Sequence, residues 1–197
     1  MYIIGDLHGL KTEYSMILDR LPKAEIQSIA LGEIGFKKNH KWFKESEYSK
    51  TNKILFGNHD YIPDINQPYS LGRWTYLPEY KIFAVSGAKS LDKWNRTEGV
   101  SWFRDEELNV KECDECLKAY EEIKPQYVIS HDCPMLVSER LFHYHNLIKT
   151  TTGTLLDEMF KIHKPEKWIF GHHHKSNRRN ISGTEFVALK ELEIFKL

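Results

Sequence analysis

Five short apolar runs in this chain each stop at a residue able to bind a metal. They read Ile3-Ile4-Gly5-Asp6, Ile29-Ala30-Leu31-Gly32-Glu33, Ile54-Leu55-Phe56-Gly57-Asn58, Val128-Ile129-Ser130-His131 and Trp168-Ile169-Phe170-Gly171-His172. Runs of that length and composition suit buried strands. In an open α/β sheet, ligands bind beyond the carboxyl ends of the strands. The pattern therefore gathers carboxylate, amide and imidazole groups at one sheet edge. A further His follows shortly after the first and last of these ligands, at His8 and His174. Asp6 and His8 are two residues apart, so in extended backbone both side chains lie on one side; His172 and His174 share that spacing, with His173 directed away. Such a set has donors for two ions.

Taken singly these signals are weak. A lone Asp, Asn or His at a strand end commonly caps a turn, and Gly57-Asn58-His59-Asp60 alone also reads as an ordinary turn. Their order along the chain says more. Gly5-Asp6-Leu7-His8-Gly9, Gly57-Asn58-His59-Asp60 and Gly171-His172-His173-His174 resemble, in sequence, three signature blocks of the calcineurin-like metallophosphoesterases. Ser130-His131-Asp132-Cys133-Pro134 resembles the block that carries that family's lone middle histidine. Together they run from Asp6 to His174, and the likeness is closer to small, stand-alone bacterial or phage-type members.

The resemblance implies a single domain over residues 1–197 with an α/β fold, a four-layer α-β-β-α sandwich of two mixed sheets flanked by helices. It also implies hydrolysis of phosphate esters with two divalent transition metal ions, manganese first and iron, zinc, nickel or cobalt as alternatives. The first ion takes Asp6, His8, His174 and a bridging carboxylate, Glu33; the second takes Glu33, Asn58, His131 and His172. Mixed oxygen and nitrogen ligands suit these metals and argue against a thiolate zinc site. Two ions roughly 3.5–4 Å apart can share a water, lower its pKa and direct it in line at phosphorus. They also offset charge building on the phosphoryl oxygens. His59 resembles the general acid for the departing oxygen, with Asp60 orienting its imidazole; Asn58, His59 and Arg96 are the candidate substrate contacts.

One block departs from the pattern. Where the family has Gly-Asp followed by a second Asp and often Arg, this chain has Gly32-Glu33-Ile34-Gly35-Phe36. Glu is one methylene longer than Asp, and carboxylate-bridged sites elsewhere use it. The absent Arg removes a phosphate clamp and counts against the Ser/Thr protein phosphatase branch. The leading function is therefore a hydrolase of small phosphate esters, nucleotides or a cyclic phosphodiester among them, with a protein phosphatase or a metal-binding scaffold with little activity as alternatives. The retained His59 favours an enzyme over a scaffold.

Composition narrows the partners. Lys+Arg and Asp+Glu each number 28, so no overall charge directs the chain to nucleic acid or an anionic membrane. No apolar stretch is long enough to span a bilayer, and Asp6 and His8 interrupt the N-terminal apolar run too early for a secretory signal. Three Cys argue against a disulfide framework and fit a reducing cytoplasm. The expected partner is a small phosphorylated substrate; nothing in the sequence bears on oligomeric state.

Periodicity predicts strands at 1–5, 26–32, 53–57, 80–86 and 126–130, with several more over 168–197 and a hairpin turned at Gly183. Leu10, Tyr14, Ile17, Leu18 and Leu21 predict an amphipathic helix stopped by Pro22, and a short helix is expected within 36–50. Residues 112–123 predict another, in which Cys113, Cys116, Leu117, Tyr120 and Ile123 form one apolar stripe; Cys113-Asp114-Glu115-Cys116 thus reads as core packing rather than a zinc or redox motif. Thr154-Leu155-Leu156-Asp157 reads as a capping box that opens a helix with Leu155, Met159 and Ile162 inward. Residues 61–79 read as a loop. With residues 88–106 they are expected to set specificity. The latter hold Lys89, Lys93, Trp94, Arg96, Trp102 and Arg104, which suit either base stacking with phosphate binding or a solvated loop with its Trp residues packed inward, the reading preferred here. Asn177, Arg178 and Arg179 are a weaker basic candidate. His40, His143, His145 and His163 read as surface or core histidines.

Overall fold

A computed structural model describes residues 1–144 and 148–197. The first half builds a four-stranded sheet. β1 (Tyr2–Ile4), β2 (Ser28–Ala30) and β3 (Asn52–Ile54) run parallel, and the chain's last strand, β10 (Ile194–Lys196), pairs antiparallel with β1. Helices α1 (Lys11–Leu18) and α2 (Lys37–Glu45) are the crossovers. The second half builds a six-stranded sheet in the order β4 (Trp74–Leu77), β5 (Ile82–Val85), β6 (Tyr127–Ser130), β7 (Lys167–Phe170), β9 (Thr184–Ala188), β8 (Asn177–Ile181). Its middle strands are parallel and its two edge strands antiparallel. Helices α3 (Val110–Ile123), α4 (Met135–Phe142) and α5 (Thr151–Ile162) complete it.

Three buried cores follow from the two-residue period of strands. Ile3, Ile29, Ile82, Ala84, Ile129, Ile169 and Val187 fill the space between the sheets. Their neighbours point the other way. Ile4, Ala30 and Ile54 pack under Tyr14 and Leu18 of α1 and Phe43 of α2. Phe83, Val85, Val128, Trp168, Phe170 and Phe186 pack under α3, α4 and α5. Strands apolar on both faces need cover on both, and the result is the expected four-layer α-β-β-α sandwich of two mixed sheets.

Several local expectations are corrected. Residues 61–79 are not all loop: β4 pairs with β5, and Trp74 stacks on Phe83 at 5.7 Å. Every β5 residue is buried, so this strand is a continuous apolar run rather than an alternating one. Helix α5 starts before Thr154, because Thr150 accepts the Gly153 N–H and serves as its cap; Ile162 at the far end is exposed. Helix α4, not foreseen, begins directly after Pro134 and buries Val137 and Leu141 in the core. The stripe on α3 behaves as expected: Cys116 and Tyr120 are in the core, with Cys113, Leu117 and Ile123 packed against it. All three cysteines are free. His145 lies outside the described residues. Among those described, no helix is long and apolar enough to cross a membrane.

Candidate dinuclear metal centre

Each strand that carries a candidate ligand delivers it at its carboxyl end, where the two sheets meet. Asp6, Glu33 and Asn58 follow β1, β2 and β3 of one sheet; His131, His172 and His174 follow β6 and β7 of the other. Glu33 sits between them. Its Oε2 lies 3.0 Å from His8 Nε2, 3.3 Å from His59 Nδ1 and 3.9 Å from His174 Nε2, and its Oε1 lies 3.6 Å from His131 Nε2. Asp6, His8, Glu33 and His174 offer one set of donor atoms, all within 4.8 Å of one another, and Glu33, His131 and His172 offer a second. Glu33 belongs to both. Asn58 joins the second through Oδ1, 3.2 Å from His131 Nε2.

Hydrogen-bond chemistry marks these as cation sites. His131 Nδ1 lies 2.7 Å from the Leu31 carbonyl, which can only accept, so Nδ1 donates and Nε2 turns a lone pair to the centre. There it faces Asn58 Oδ1, and His8 Nε2 and His174 Nε2 likewise face each other at 2.9 Å. A proton on one member of each pair, or a bound cation between them, satisfies both contacts. Asp6 Oδ1, both Glu33 oxygens and His172 Nδ1 are buried and have no hydrogen-bond partner among the described residues. Orphaned oxygen and nitrogen atoms concentrated at one point are costly, and two divalent ions fit this donor set.

The electrostatics agree. Burial pushes the Asp6 carboxyl up to about 7, against the pull of His131 and with the help of Glu33. Burial acts the same way on Glu33, but the close imidazoles of His131, His59 and His8 outweigh it and hold the acid well below the usual carboxylate range. Burial would lower His131, yet Glu33 and Asp6 lift it to about 10. Burial takes His172 down to about 3. Protons on imidazole thus do the work that cations would do with ions bound.

The local backbone is bent to make this arrangement. His8, Glu33, His172 and His174 all have left-handed φ, between 43° and 63°, a conformation that costs L-residues about 1–2 kcal/mol each. The expected extended backbone at Asp6–His8 and His172–His174 is therefore corrected: tight turns, not strand geometry, converge these pairs. His173 does point away, onto Asp132 Oδ1 at 3.2 Å and Cys133 Sγ at 3.4 Å, beside Phe142. Burial keeps the Cys133 thiol well above its usual pKa, so this third cluster acts as an anchor for the turn. Gly171 has a different reason to be glycine. A Cβ there would lie 2.1 Å from Asp6 Oδ1.

Asp60 is not where it was expected. Its carboxylate faces away from His59 and accepts from Glu33 N (2.7 Å), Gly57 N (2.8 Å) and Gly35 N (3.2 Å), with His40 Nε2 at 3.0 Å. Three backbone donors from two ligand loops occupy it, so it fixes the turns that present Glu33 and Asn58. His40 is a core histidine between Asp60 and Tyr69. The group on His59 is Arg96, whose Nη2 lies 2.7 Å from His59 Nε2. Asp92 accepts from that guanidinium at two points, from Nε at 2.8 Å and Nη2 at 2.6 Å. Trp94 is not packed inward but 83 % exposed, whereas Trp102 is half-buried under Lys93. Arg178 pairs with Glu185 and Arg179 reaches the Arg140 carbonyl, so the basic run on β8 is spent on structure.

Four further residues join the site without a motif to announce them. Glu191 lies 3.4 Å from His174 Nδ1. Asp92 clamps Arg96. Ser90 accepts from Asn58 Nδ2 at 3.2 Å, and Glu106 takes both the N–H and hydroxyl of Ser90 at 2.7 Å. Only a carboxylate near each ligand loop could have hinted at them.

No curated protein matches the chain. Among solved structures it is similar to a phosphopantetheinyl hydrolase from Mycobacterium tuberculosis, with a TM-score of 0.57 and 11 % identity, over 96 % of this chain and 89 % of that one. At that identity the likeness is one of fold. A family model, that of the calcineurin-like phosphoesterases, matches residues 1–176. Since the match takes in strands β1 to β7, drawn from both sheets, and every ligand candidate from Asp6 to His174, this chain belongs to the calcineurin-like phosphoesterase family.

Proposed function

We propose that this protein is a dinuclear metallohydrolase of small phosphate esters. The observation that carries the reading is Glu33: a buried, ionised carboxylate with neither oxygen hydrogen-bonded, shared by two clusters of metal donors. Bound ions would supply charge neutralisation at phosphorus and a water made acidic enough to attack at neutral pH. Asp6, His8 and His174 hold one side of the site and Asn58, His131 and His172 the other, with Glu33 between.

The remaining steps belong to the chain. The Arg96 guanidinium can only donate, so His59 Nε2 accepts from it and the imidazole proton sits on Nδ1. Nδ1 faces Glu33, that is, into the centre; when Arg96 turns to the phosphate and Nε2 takes up a proton, the imidazolium can give its Nδ1 proton to the departing oxygen and end as neutral imidazole. Arg96 reaches the same point from residues 88–106 and provides the phosphate-binding guanidinium that Gly35-Phe36 does not. A cavity of about 570 Å³ beside His172, walled partly by Leu91, Met135 and Lys89, gives the ester's organic group a place. His59 also weighs against a mere scaffold, which has no use for an acid aimed at its ions.

Assays of metal-stripped protein on p-nitrophenyl phosphate and its bis ester, with Mn, Fe, Zn, Ni and Co added in turn, test this. Turnover is expected only with metal and only until a chelator is added. Full activity in the stripped protein would overturn the mechanism.

A further inference from the structure

Asn58 poses a problem of polarity. A side-chain amide has an acceptor end and a donor end of nearly the same shape, and only the oxygen can ligate a cation. Something must decide which end faces the centre. Asn58, Ser90 and Glu106 are all buried, so bulk water does not decide it.

We infer that Glu106 is a positioning residue for the second metal site, setting the amide of Asn58 through the hydroxyl of Ser90. The chain of donors runs one way. Glu106 is an acceptor only, so Ser90 Oγ, 2.7 Å from its Oε2, spends its single hydrogen there. That oxygen can then only accept, and it accepts from Asn58 Nδ2 at 3.2 Å. The amide oxygen is left facing His131 Nε2 and the second cluster. The other Glu106 oxygen is pinned by Ser90 N–H at 2.7 Å. The same carboxylate therefore closes the base of the segment that carries Arg96 to His59. This inference rests on the dinuclear reading above and adds to it a residue that belongs to neither donor cluster.

Glu106→Gln tests the polarity with almost no change in shape. The Ser90 N–H still demands the side-chain oxygen, so the new NH2 must face Ser90 Oγ. The hydroxyl hydrogen then turns to Asn58, which answers with its oxygen and leaves its NH2, which has no lone pair to give, toward the metal. Titrating metal-stripped protein with Mn by calorimetry reads affinity and stoichiometry without any assay of turnover. Wild type is expected to take two ions, and Glu106→Gln to lose about 10–100-fold in affinity for one of them, as partners of metal ligands typically do. Ser90→Ala keeps the backbone bond to Glu106 and only frees the amide, so its loss is expected to be smaller. In the Ser90→Ala background Glu106→Gln is expected to add less than about twofold, because the relay is already cut. Undiminished two-ion binding in Glu106→Gln, or an equal loss whether or not Ser90 is present, would overturn the positioning role alone. Fewer than two ions in wild type would overturn the dinuclear reading and this role with it.

Discussion

At the scale of single residues, two side chains separate the chemistry from its scaffold. His59 is expected to be an acid and not a ligand. His59→Ala should lower kcat by about 10²–10⁴-fold for an ester with a poor leaving group and by less for p-nitrophenyl phosphate, while metal content stays near that of wild type. Loss of metal along with activity would make His59 structural. Glu33 is the opposite case, since it alone belongs to both clusters. Glu33→Ala leaves two cations facing each other with one fewer negative charge between them, and their repulsion in a low-dielectric cleft is severe. That variant should hold at most one ion tightly and turn over nothing measurable. Glu33→Asp should keep two ions with a changed rate or metal preference, because it keeps the bridging charge but draws the carboxylate back by one methylene. Mass spectrometry of both variants decides it: two ions in Glu33→Ala would show that another group bridges.

At the scale of elements, the strands and their terminal ligands were legible because both rest on short-range rules. A short apolar run closed by a polar residue, in four of the five cases through a Gly, can be read without knowing its neighbours. What was illegible depends on partners distant in sequence. Asp60 is drawn from His59 by backbone N–H groups at Glu33 and Gly35, donors that no spacing rule connects to it. Glu106 reaches Asn58 only because the segment after Ser90 folds back on itself. Helix α4 was missed because the Pro134 that precedes it reads equally as a loop. The glycines between strand and ligand allow a test at this scale. Gly171→Ala would put a methyl 2.1 Å from Asp6 Oδ1 and should expel that carboxylate from the first cluster. A cost of about 1–3 kcal/mol in stability is expected, together with loss of one ion. Gly183, at φ 92° in the β8–β9 turn with open space around its Cβ, is a built-in control. Gly183→Ala strains the backbone at its hairpin and should leave metal content untouched. Thermal melts paired with metal analysis separate the two, and an unchanged ion count in Gly171→Ala would show that Asp6 has room to move.

At the scale of the whole molecule, the centre sits where the carboxyl edges of two separate sheets meet, and this has a mechanical consequence. Direct polar ties across that edge among the described residues include His131 Nδ1 donating to the Leu31 carbonyl at 2.7 Å, His172 N to Asp6 Oδ2 at 2.7 Å, Gly87 N to the Phe56 carbonyl at 2.7 Å and Phe56 N to Ser86 Oγ at 3.0 Å. Around them lie two buried acids and the orphaned His172 Nδ1, an arrangement that opposes closure unless cations enter. Ions bound here would take Asp6, Glu33 and Asn58 from one sheet and His131, His172 and His174 from the other, and so link the sheets as well as serve the reaction. A ligand that binds only the folded state stabilises it by about 2.7 kcal/mol when present at about 100 times its Kd. For a chain of this length about 1 kcal/mol corresponds to roughly 2–4 °C, so saturating one site should raise Tm by roughly 5–10 °C. A chelator should therefore lower Tm by at least that amount, and excess Mn should restore it. The same titration on Glu33→Ala should recover only a single site's share, since the bridge between clusters is gone. If Tm is the same with chelator as with metal, the two sheets do not depend on ions for their union, and the interlayer core of Ile3, Ile29, Ile129 and Ile169 holds them alone.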